Sequence, residues 1–142
     1  MKRILCIALC ALTVFALVAC GSKPTGGKDE TKQPPVLTGT WKQTNSESDD
    51  SYQEATITDS TIEVYWVADD TKALYWAGSF TAPTTADEPY TWDSANDTEK
   101  TSSALLASGD ATKTFTYKDG TLSYEVTAMG VTKTVTMKKK YN

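Results

Sequence analysis

From Thr38 onward, apolar and polar residues alternate with a period of two, in short runs separated by clusters of Asp, Gly, Ser and Thr. The runs are rich in Val, Thr, Tyr, Trp and Phe, side chains that fit a pleated, half-buried surface. The pattern predicts eight strands, near 38–44, 52–58, 61–67, 73–81, 90–94, 113–118, 121–128 and 131–138. Short strands joined by tight turns point to an all-β antiparallel meander. Eight such strands can close into a small barrel whose interior is just filled by side chains or holds one small ligand. A two-sheet β-sandwich is the alternative, because both bury one face of every strand.

The turn residues set the register. Asp119-Gly120 is a two-residue hairpin signal, since both residues tolerate the positive φ of a type I′ turn. It opposes Tyr117 to Leu122 and Phe115 to Tyr124, placing all four on one face. A turn at Met129-Gly130 opposes Tyr124 to Val135 and Leu122 to Met137, and one at Asp59-Ser60 opposes Ile57 to Ile62 and Ala55 to Val64. Three hairpins therefore agree on one buried face.

The stretch TIEVYWVADDTKALYWAGSF, residues 61–80, holds five aromatic rings. Strict alternation turns Ile62, Val64 and Trp66 inward, followed on the next strand by Leu74, Trp76, Gly78 and Phe80. Tyr65 and Tyr75 then lie outside, as a candidate interaction surface. The inward rings Trp66, Trp76, Phe80, Phe115, Tyr117 and Tyr124 either fill the centre or line an apolar pocket, and a packed core is the simpler expectation. Lys133 falls opposite Val126 on the inner face. A buried unpaired ammonium is costly, so it either snorkels to water at a rim or stands in a cavity mouth facing a ligand anion. Trp66, Trp76, Phe80, Tyr124 and Lys133 are thus the candidate ligand-binding set.

Two segments fall outside the strand pattern. Asn96 to Asp110 carries Leu105 and Leu106 between Ser/Thr-rich ends and predicts a short helix near 101–108, capped by Thr101 or Ser102 and ended by Gly109, with a polar Ω-like loop as the alternative. Its leucines would plug one end of the barrel. Lys138-Lys139-Lys140 ends the last strand, where it would touch anionic headgroups or, as favoured, mark a charged edge that discourages strand pairing.

Ahead of the strands, residues 1–19 read as an export signal: Lys2 and Arg3, then an apolar run from Ile4 to Ala19 that is short for a membrane span. Residues 21–36, GSKPTGGKDETKQPPV, have the composition of a flexible tether. The expected organisation is signal peptide 1–19, Cys20 and tether 20–37, and β-barrel domain 38–142. Without Lys2 and Arg3, 12 basic residues face 18 acidic ones, a net charge near −6 that argues against nucleic acid. The chain has no His, which removes His-based acid–base catalysis, Ser-His-Asp and Cys-His systems and His-ligated zinc. The acidic groups Glu47/Asp49/Asp50, Asp69/Asp70 and Asp87/Glu88 fall in predicted loops without EF-hand spacing, so no metal site and no cofactor is expected.

Leu17-Val18-Ala19-Cys20 resembles the lipobox of bacterial lipoproteins. The resemblance implies a diacylglycerol on the Cys20 thiol with palmitate-type acyl chains, cleavage before Cys20, and residence on the extracytoplasmic face of the cell membrane. Cys6 and Cys10 would leave with the signal, so the domain would hold no disulfide. Gly39-Thr40-Trp41 resembles the opening of the first strand in lipocalins and other calycins, where the Trp packs across the barrel bottom near a basic residue of the last strand. With YTWDS, ALLASGD and FTYKDGTLSYEVTA, the chain is also similar to small acyl-anchored lipoproteins of Gram-positive bacteria, some carried by prophages. That last resemblance implies no established activity; with no His and no carboxylate pair placed across a cleft, the expected role is that of a monomeric, non-enzymatic binding module. It would hold a small apolar ligand or, alternatively, contact an envelope or phage protein, as in superinfection exclusion or wall-hydrolase inhibition.

Overall fold

A computed structural model describes residues 31–141. The signal segment, Cys20 and the tether up to residue 30 lie outside the described residues. The rest is an all-β domain of eight antiparallel strands: β1 (Gly39–Gln43), β2 (Ser51–Ile57), β3 (Thr61–Ala68), β4 (Thr71–Ser79), β5 (Tyr90–Ala95), β6 (Thr112–Lys118), β7 (Thr121–Ala128) and β8 (Val131–Lys139). They form a single sheet in the order β4-β3-β2-β1-β8-β7-β6-β5, rolled into a nearly closed barrel rather than split into a sandwich. The outer strands β4 and β5 meet at one bridge, Gly78 to Asn96.

The hairpins take the predicted register. Tyr117 opposes Leu122 and Phe115 opposes Tyr124; Tyr124 opposes Val135 and Leu122 opposes Met137; Ile57 opposes Ile62 and Ala55 opposes Val64. Asp119 and Gly120, and likewise Met129 and Gly130, all have φ between 50° and 77°. That is the left-handed pair a type I′ turn requires.

Three expectations are corrected. The β3–β4 pairing is interrupted, with Val64 opposite Trp76 but Tyr65 opposite Leu74, so Tyr75 is an extra residue on β4. Such a bulge flips the alternation beyond it. Tyr75 therefore turns inward at 5% exposure, and Leu74 moves to the outer face beside Tyr65. The outer Tyr65/Tyr75 pair does not exist. Second, the helix is α1 (Thr98–Thr101), capped by Asp97 rather than by Thr101 or Ser102. Leu105 and Leu106 lie beyond it, 100% and 56% exposed, and plug nothing. Third, β8 is paired on both sides, with β1 and β7, so Lys138–Lys140 guard no open edge.

The core runs the length of the barrel. At the end where β1 begins, the Trp41 indole N–H donates to the Leu37 carbonyl at 2.9 Å and the ring meets Tyr117 edge-on. Lys139 stands opposite Trp41 across the β1–β8 pair and donates to the Val36 carbonyl. From this closed end, ring contacts pass from Phe80 to Trp92, Phe115, Tyr124, Tyr75 and Trp66, with centroids 4.9–6.5 Å apart. Ile62, Val64, Trp76, Phe115, Leu122 and Met137 are fully buried around that column. No helix among the described residues is long and apolar enough to cross a membrane.

Candidate binding site at the open end of the barrel

The opposite end carries the β1–β2, β3–β4, β5–β6 and β7–β8 connections, and there the packing loosens. Trp66, on the last inward position of β3 opposite Gln53, is only half-buried. Its ring lies edge-on against Tyr75 at 5.4 Å. With Val126 it divides two grooves. One, of about 510 Å³, is lined by Trp66, Tyr75, Leu105, Leu106, Val126 and Ala128. The other, of about 420 Å³, holds Tyr52, Trp66, Val126 and Val135 beside Gln43, Glu47 and Lys133. Met129 and Val131 at the β7–β8 turn add exposed apolar surface, at 102% and 56%.

The five candidate ligand residues do not converge. Phe80 belongs to the closed end, packed on Trp92. Trp76 is fully buried and its indole N–H donates to Ser94 Oγ at 3.0 Å. Tyr124 is buried and its hydroxyl donates to Gln53 Oε1. Burial pushes its ionisation well above the ordinary tyrosine range. Only Trp66 and Lys133 reach the open end. Lys133 takes its expected register opposite Val126, yet its side chain is 68% exposed and pairs with Glu47 at 2.8 Å. It snorkels at a rim. The pairing raises the Lys133 ammonium above its ordinary value and lowers Glu47, through the hydrogen bond first and the charge second.

The inward lysine inside the wall is Lys113. Its side chain is 6% exposed, and its ammonium donates to Asp110 Oδ2 at 3.1 Å and to the Glu125 carbonyl at 3.3 Å. It also lies 5.2 Å and 5.4 Å from the Tyr75 and Trp76 ring centres, within cation–π range. Its place follows from a split in the wall. Strands β6 and β7 pair only from Phe115–Lys118 to Thr121–Tyr124, and beyond that they diverge. The Lys113 ammonium bridges the gap, behind a hydroxyl-rich cleft of about 510 Å³ lined by Thr114, Thr116, Ser123 and Thr127. The signal was present in sequence: in TKTFTYK, Lys113 shares parity with Phe115 and Tyr117. Asp110 is held low by its hydrogen bond from Ser108 and then by Lys113.

Tyr65 faces outward as expected. Its hydroxyl donates to Glu63 Oε2 at 2.6 Å, and Lys100 of α1 also pairs with Glu63. This ties α1 to β3 rather than presenting a free ring. Among the described residues, no group of three or more His, Cys, Asp or Glu is arranged to hold a metal ion. No protein-family model, no curated protein and no solved structure matches the chain.

Proposed function

We propose that this chain is a membrane-anchored extracytoplasmic lipoprotein whose barrel is a filled, non-catalytic scaffold and whose open end binds a protein at the cell envelope. The observation that carries the reading is the placement of Leu105, Leu106, Met129 and Val131 as exposed apolar side chains on the rim of a barrel with a closed core. Exposed apolar patches on a small domain mark interaction sites. The chain enters β1 at the closed end, where Leu37 packs under Trp41, away from the apolar rim.

A photo-crosslinking residue at position 105, in cells producing the full chain, tests the reading. A discrete adduct is expected from position 105 and none from position 56, an exposed site on the flank of β2. Equal labelling from both, or none from 105, overturns it. A second reading, a carrier of a small apolar molecule, draws on the groove between Trp66 and Leu106. It requires a bound mass in native mass spectrometry that disappears on denaturation.

A further inference from the structure

The open end carries a charge pattern beside its apolar one. The β1–β2 connection abuts the β3–β4 turn, with the Asp69 N–H donating to the Asp50 carbonyl at 2.9 Å. Together they expose Asp49, Asp50, Asp69 and Asp70. None of the four is in an ion pair among the described residues. The ammonium groups on this side are placed elsewhere: Lys133, Lys113 and Lys72 pair with Glu47, Asp110 and Glu54, and Lys42 lies 4.0 Å over the Tyr52 ring. Carboxylates on touching loops that form no ion pair repel one another. They border the groove that holds Trp66 through Ser51 and Tyr52, while Leu105 and Leu106 rise on the far side of the same indole.

We propose that the open end docks a cationic amphipathic segment of another polypeptide, with apolar residues against Trp66 and the two leucines and Lys or Arg against the four aspartates. This rests on the reading above that the open end is the binding surface, and it names the partner's chemistry. Charge complementarity selects the occupant. An anionic lipid surface would be repelled by the same aspartates. A neutral apolar molecule would leave them unanswered. A partner carrying both features uses both halves of the rim, and the acidic field would also steer its approach in a salt-dependent way.

The test uses the full chain in zwitterionic phosphatidylcholine nanodiscs, with empty nanodiscs as control. Fluorescence anisotropy follows a labelled synthetic Leu/Lys amphipathic peptide and its counterpart with Glu in place of every Lys. The Lys peptide is expected to bind saturably and the Glu peptide not to bind. Its affinity should fall about tenfold between about 50 and about 300 mM salt, as the Debye length shortens. Replacing all four aspartates by Asn, or making Leu105→Ser with Leu106→Ser, should each weaken binding by about tenfold or more, at exposed positions where the fold is not at stake. Equal binding of the Glu peptide, insensitivity to salt, or no effect of the Asn variant overturns the proposal. If neither peptide binds while position 105 still crosslinks in cells, the cationic partner is wrong and the binding surface stands. If the crosslink is also absent, both fall.

Discussion

Gln53 is an amide at the centre of a hydrocarbon core. It is fully buried opposite Trp66, its Oε1 accepts the Tyr124 hydroxyl proton, and its Nε2 has no partner. Removing Tyr124's hydroxyl strands the second end of the amide as well. Tyr124→Phe should therefore cost about 1–3 kcal/mol, the penalty for a buried unsatisfied group. Gln53→Leu combined with Tyr124→Phe removes both polar partners and should recover most of that loss, read from urea unfolding of the two variants against the parent. Parity along SYQEATI puts Gln53 inward with Ala55 and Ile57, but its partner lies 71 residues away and no local pattern announces it. On the outer face, Glu63 is drawn below its ordinary value of 4.5 by hydrogen bonds from Lys100 and then Tyr65. Its contribution to stability is present above about pH 4.5 and is lost as the pH falls through the lowered folded value. The same hydrogen bond pushes the Tyr65 hydroxyl up to about 12. Here the folded state holds the proton longer than the unfolded one, so stability is complete below pH 10 and falls as the pH climbs towards about 12. An absorbance titration of Tyr65→Phe should show one fewer late tyrosinate than the parent, with the buried Tyr124 late in both, and the variant should lose less stability over that alkaline interval.

At the scale of elements, the seam between β4 and β5 decides whether the sheet closes. Gly78 makes the bridge to Asn96, and a Cβ at Gly78 would meet Ser94 Oγ, the Ala95 carbonyl at 2.5 Å and Trp76 Nε1 at 2.8 Å. There is no room, because two backbones approach closely beside a fully buried indole. Gly78→Ala should cost about 1–3 kcal/mol, as overpacking does. It should also speed hydrogen exchange at Asp97 and Ser108, whose N–H groups bond to the Ala77 and Tyr75 carbonyls along the free edge of β4. Those bonds explain the misplaced helix. The segment after β5 is used to pair with the β4 edge, so helical hydrogen bonding stops at Thr101 and the leucines are carried outward. Sequence alone shows the hairpins, since turn chemistry and apolar parity are local facts. It does not show the bulge at Tyr75, because YWAG reads as regular alternation and the extra residue is imposed by closing the barrel. That one inserted residue separates the expected outer tyrosine pair from the inner aromatic column observed.

The whole molecule is divided along its axis. The closed end is continuously buried: Leu37, Trp41, Ile57, Ile62, Phe80 and Trp92 are each at most 6% exposed. The open end exposes leucine, methionine and aspartate. A barrel filled throughout has no need for those apolar residues at its rim, and a barrel built to hold a ligand would not place Trp76, Phe115 and Tyr124 across its centre. Stability and recognition should therefore separate on mutation. Trp41→Ala removes a fully packed indole, its bond to the Leu37 carbonyl and its contact with Tyr117, and should cost about 3–5 kcal/mol. Leu105→Ser with Leu106→Ser deletes side chains that the core does not use, and should change stability by less than about 0.5 kcal/mol per site. Urea midpoints of the two variants measure the contrast directly, because a shift at unchanged slope reports stability alone. A large loss from the leucine pair would mean that the 102–110 segment packs in solution as a plug, and the apolar rim would cease to be a surface at all. A small loss, beside a collapse of the Trp41 variant, would fix the closed end as the part that holds the fold and leave the rim free to hold something else.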